Sequence, residues 1–74
     1  MRGESDDMAA RSTRDRIMNH HTECVVCLQK ALDHLAQVSL LSGGRSEHIN
    51  DKAPVLIAGL QVVIDAVVSF RDGL

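Results

Sequence analysis

The sequence predicts an all-α protein: a two-helix hairpin that pairs with a second copy as a dimeric four-helix bundle. Three observations predict it. Apolar residues recur in steps of three and four from Ile17 to Leu35, the spacing of one helix face. The sequence Ser42-Gly43-Gly44 interrupts that pattern, and a second apolar stretch from Pro54 to Phe70 again carries helical spacing. This second stretch is apolar most of the way round, more than a single neighbouring helix can cover.

Residues 1–11, MRGESDDMAAR, are polar and mixed in charge and read as a flexible lead to a hairpin domain over 12–74. Ser12-Thr13-Arg14-Asp15 resembles a capping box, with a hydroxyl three residues before a carboxylate, so the first helix is expected over roughly 12–41. Its core-facing positions are Ile17, His21, Val25, Leu28, Leu32 and Leu35, with Cys24, Ala31 and Val38 flanking them. Glu23, Val26, Lys30, Asp33 and Gln37 fall on the opposite face, which makes the helix amphipathic. Residues 42–51 read as a polar loop. Asp51 is the expected N-cap of the second helix, over roughly 52–71, with Pro54 in its first turn, where a missing N–H does little harm.

The second helix competes with a strand reading, because Val and Ile favour sheets. Strict alternation is absent, however, and Ala53, Leu56, Leu60, Val63 or Ile64, Val67 and Phe70 are spaced as on a helix. Gln61, Asp65 and Ser69 form a narrow polar strip, while Val55, Gly59, Val62 and Ala66 continue the apolar surface round the side. Gly59 and Ala66 are small enough to let a partner helix approach closely. The expected partner-binding surface is Val55, Leu56, Val62, Val63 and Ala66, with Phe70 as its aromatic anchor.

Composition narrows the functions. A 74-residue chain forms one small domain with a marginal core, and such scaffolds are usually stapled by disulfides, a metal or a partner chain. Its two cysteines are too close in sequence to close a stabilising loop. One Phe and no Trp or Tyr leave little for base stacking, and a net charge of −2 does not attract phosphate backbones or anionic lipid. Arg2, Arg11, Arg14 and Arg16 are cancelled by Glu4, Asp6, Asp7 and Asp15. The polar N-terminus shows no signal peptide, and the run from Pro54 to Phe70, broken by Gln61, Asp65 and Ser69, reads as short and polar for a membrane span. A cytoplasmic protein with neither nucleic-acid nor membrane partners is therefore expected.

The segment HHTECVVC, His20 to Cys27, invites chemistry. On a helix His20, Cys24 and Cys27 lie at i, i+4 and i+7, with His34 one heptad beyond Cys27, and such residue types can hold zinc. One continuous helix spreads them too far to converge on a single ion, and no second C-x-x-C or H-x-x-x-H supplies the missing pair. Redox chemistry at C-V-V-C needs a strand before it and the first cysteine at a helix N-terminus, whereas helical turns precede it here. The expected roles are core-edge cysteines and boundary histidines, with no metal and no cofactor. His48, beside Glu47 and Asp51, reads as a solvated loop histidine, and Asp65 as a rim charge. The stretch LSGGRS, Leu41 to Ser46, lacks the phosphate-loop pattern. No serine, histidine and acid come together, so no enzyme is expected.

The pattern CLQKALDHLAQVSLLSGG…INDKAPVLIAGLQVVIDAVVSF, residues 27–70, resembles small two-helix regulatory proteins of pseudomonads, quorum-sensing anti-activators of the QslA kind. The likeness rests on an AL-x-x-L-A helix, a glycine-containing loop and an Ala/Val-rich second helix. It implies a helical regulator that binds and sequesters a protein, a LuxR-type transcription factor, and it transfers no functional residue. The competing expectations are a metal- or redox-responsive module around His20, Cys24 and Cys27, and a purely structural assembly subunit.

Overall fold

The computed structural model describes the backbone of residues 2–74 and the side chains of residues 11–74. It is an all-α hairpin, with no strand among the described residues. Helix α1 spans Arg2–Ser42 and helix α2 spans Glu47–Phe70, followed by a single 3-10 turn over Arg71–Gly73. At a rise of about 1.5 Å per residue, α1 is about 62 Å long and α2 about 36 Å. The molecule measures 67 × 19 × 12 Å, so its long dimension is α1 itself. Its radius of gyration is 18.8 Å, against about 11 Å for a compact domain of this length.

The backbone of α1 begins at Arg2, well before the expected start at Ser12. The lead expected over 1–11 is thus helical in its backbone from Arg2, while Met1 and the side chains of residues 2–10 lie outside the described residues. Periodicity could not have shown this, because an extension with no apolar stripe carries no periodic signal.

The connection is shorter than expected. Gly43 and Gly44 both adopt positive φ, 58° and 79°, a region glycine enters without a Cβ clash. The Gly43 N–H donates to the Leu40 carbonyl at 3.1 Å, and the Arg45 N–H to that of Ser42 at 3.1 Å, which closes α1. Ser46 caps α2: its Oγ accepts the Ile49 N–H at 3.2 Å, and Glu47 places an acid in the positive first turn. The Asn50 amide ties this turn back to the loop by donating to the Gly44 carbonyl at 2.9 Å.

Two expectations are corrected here. Ser46, not Asp51, is the N-cap, and Pro54 lies inside α2, not in its first turn. Proline removes the N–H that would bond the Asn50 carbonyl, yet the helix runs on. Asn50 and Pro54 are both exposed, so water can satisfy that carbonyl, while Ile49, Ala53 and Ile57 hold the helix to α1. His48 accordingly sits in the first turn of α2 rather than in a loop.

The seam between the helices is thin. From α1 it takes Met18, His21, Val25, Leu28, Leu32 and Leu35; from α2 it takes Ile49, Ala53, Ile57, Leu60, Ile64 and Val67, all at least half-buried. Only Ala53 and Ile64, each 5% exposed, are buried outright among the described residues. Ile17 leaves the expected core because α2 ends before reaching its level. On α2 the seam passes through Ile57, and Leu56, Val63 and Phe70 stand outside it.

Candidate interaction surface

The residues expected to bind a partner are all on the outside. Val55 is 68% exposed, Val62 67% and Phe70 64%; Leu56, Val63 and Ala66 are exposed as well. Helix geometry places them together: at about 100° per residue, Val55, Gly59, Val62 and Ala66 fall in one strip, and Leu56, Val63 and Phe70 lie beside it, nearer the seam. Gln61, Asp65 and Ser69 occupy the other exposed flank.

Helix α1 adds a second row. Ile17, Cys24, Ala31 and Val38 recur every seven residues, and His20, Cys27, His34 and Leu41 recur likewise three residues later; all are exposed. The two rows share one side of the hairpin, since Val38 and Leu56 line the same shallow cleft together with Leu35, Ala53 and Lys52. The opposite side is cut by a separate cleft of Thr22, Val26, Val68 and Arg71. The hairpin therefore has an apolar side and a mixed, more polar side. The sequence shows the heptad spacing of the α1 row, but the stretch stood out for its possible ligands, which obscured its role as a surface.

At the open end one residue joins the helices. The His21 Nε2 donates to the Val67 carbonyl at 2.6 Å, across the hairpin. The Arg71 N–H turns instead to the carbonyls of Val68 and Ser69 as the chain tightens into the 3-10 turn, so a side chain from α1 caps the last turn of α2. This bond needs a proton on Nε2. The Phe70 ring lies against the same imidazole, with centroids 6.5 Å apart and planes tilted by 31°. His21 was legible only as the one polar member of the first helix's apolar stripe; its acceptor lies 46 residues away in sequence.

Cys24 and Cys27 are free and exposed, and His20 is exposed beside them. Among the described residues, no three His, Cys, Asp or Glu side chains gather closely enough to share a metal ion.

Two segments are long and apolar enough to cross a membrane by length and composition. Glu47–Gly73 reaches a mean hydropathy of 2.0 over its most apolar 18-residue window, 11% of it buried, and Arg11–Ser42 reaches 1.2 with none buried. The 17-residue count from Pro54 to Phe70 understated α2, which begins seven residues earlier, at Glu47.

No family model, no curated protein and no solved structure matches this chain.

Proposed function

We propose that the hairpin is a non-enzymatic regulatory protein that binds and sequesters another protein through the apolar side of its two helices. One observation carries this reading: an aliphatic surface centred on Val55, Val62 and Ala66, ending at Phe70, that stands exposed among the described residues. A surface of this kind recognises an apolar groove or another helix, and it offers few polar anchors for a small ligand or for nucleic acid. The resemblance to QslA-like anti-activators suggests the partner class, a LuxR-type transcription factor held through its own association surface.

The experiment is capture from a bacterial lysate by the immobilised protein, followed by calorimetry on the recovered partner. Phe70→Ala and Val62→Ala should weaken binding. If both bind as wild type while Lys30→Glu or Asp33→Lys on α1 abolishes binding, the mechanism is refuted.

The hydropathy of α2 favours a second reading, a hairpin that inserts into a bilayer. Against it, Glu23, Lys30 and Asp33 are exposed along the middle of α1, where a bilayer would have to solvate them. Flotation with liposomes separates the two: the regulatory reading requires the protein to stay at the bottom of the gradient.

A further inference from the structure

Packing does not account for Cys24 and Cys27. Cysteine behaves as a small hydrophobe and is among the residues most often buried, yet both thiols here are unpaired and exposed, in the middle of α1. They stand at i and i+3, so they are neighbours on one helix face. We propose that this dithiol is a two-coordinate site for one soft monovalent metal ion, cuprous copper, held across a single turn of α1. The site goes beyond the sequestering function and does not depend on it, so its test needs no protein partner.

Spacing separates an ion from a disulfide. Residues three apart on a helix surface have Cβ atoms about 5–6 Å apart. A disulfide needs its Cβ atoms at about 3.8 Å, so joining the two sulfurs directly would pull adjacent turns of a continuous helix together. An ion placed between the sulfurs removes that demand. With metal–thiolate bonds of about 2.3 Å, the zinc value, a linear sulfur–metal–sulfur unit is about 4.6 Å long. The two Cβ atoms then keep their helical separation, and α1 is not distorted.

Ligand number and softness select the metal. A structural zinc site takes four ligands, and among the described residues no third His, Cys, Asp or Glu joins the pair closely enough to share an ion. Calcium and magnesium call for oxygen donors. Thiolate is the soft donor that selects Cu(I), and this closed-shell ion is satisfied by two thiolates in line. Loading is a ligand exchange without electron transfer. Each S–H gives its proton to water and a sulfur lone pair to the ion, so a chain that takes up one cuprous ion releases two protons and gains one negative charge. Because both sulfurs are exposed, an ion can enter and leave by exchange with small thiols in solution.

The test is anaerobic titration of the reduced full chain with cuprous ion, in competition with the chromogenic chelator bicinchoninate. The expected result is one ion per chain drawn from the chelator, two protons released for each ion, and unchanged helicity by circular dichroism. Cys24→Ser and Cys27→Ser should each abolish the competition. The deciding variant is Cys27→Ser, Gln29→Cys. It keeps two thiols on exposed positions but sets them five residues apart, on different faces of α1, and it should leave the ion on the chelator. Should it lose helicity, Cys27→Ser, Lys30→Cys replaces it, with the same expectation. A spacing variant that takes up the ion as wild type does overturns the proposal. So does a wild type that draws no ion from the chelator, binds zinc as tightly as the cuprous ion, or takes up the ion only by linking chains, seen as a rise in mass by light scattering.

Discussion

The inner and outer faces of α2 are built from the same residue types and meet opposite fates. Ala53 and Ile64 on the inner face are 5% exposed, while Val55 and Val62 on the outer face remain two-thirds exposed. Hydropathy does not distinguish them; only their angle about the helix axis relative to α1 does. Folding of the single hairpin thus buries one apolar face of the helix and leaves another exposed. In α1 the division is different, because Glu23, Lys30, Asp33 and Gln37 give it a face that needs only water.

Substitution can sharpen this contrast. Ile64→Ala removes one of the two buried apolar side chains and should lower the stability of the hairpin by about 2–4 kcal/mol. Val62→Ala, on the opposite face, should leave the isolated hairpin nearly unchanged. Urea titration at concentrations low enough to hold the monomer would compare them, and equal losses would erase the distinction between the faces.

Phe70→Ala should reduce affinity for a captured partner by about 2 kcal/mol, the level of an interface hot spot. Its effect on hairpin stability should be smaller, since the ring is 64% exposed. Calorimetry and thermal melts on the same variant separate the two effects.

His21→Ala should cost about 1 kcal/mol, the net worth of one intramolecular hydrogen bond. It removes the only side-chain hydrogen bond that crosses between the helices among the described residues. If the thermal midpoint of this variant equals that of wild type, the cap contributes nothing.

Replacing both cysteines by serine should change stability by about 0.5 kcal/mol or less, the range of surface substitutions. Both thiols are exposed and unpaired. Loss of helicity in the double variant, or zinc bound at one equivalent by the wild type, would restore the metal reading.

The hairpin was legible in the sequence because three-and-four spacing survives in both helices and Gly43-Gly44 marks the stop between them. The N-terminus of α2 was not, because two caps competed. Asp51 with Pro54 looked like a helix start, but Ser46 offers its hydroxyl at the right distance from Ile49, and nothing in the sequence ranks one cap above the other. The seam on α2 was displaced for a related reason: Leu56 and Ile57 are both large and aliphatic, and only contact with α1 selects Ile57. The candidate surface was legible residue by residue on α2, whereas on α1 the cysteines and histidines drew attention to ligation and away from their heptad spacing.

Because α2 stops near the level of Met18, the stretch of α1 from Arg11 to Ile17 lies beyond α2, and every side chain in it is exposed. Helical turns without tertiary contacts keep their hydrogen bonds only as well as a peptide of similar length, which in water is poorly. Amide protons there should exchange with deuterium far faster than those around Leu32 in the free hairpin, and should slow once another chain lies alongside. The protein in this way carries its own gauge of occupancy, one that can be read by mass spectrometry without label or mutation.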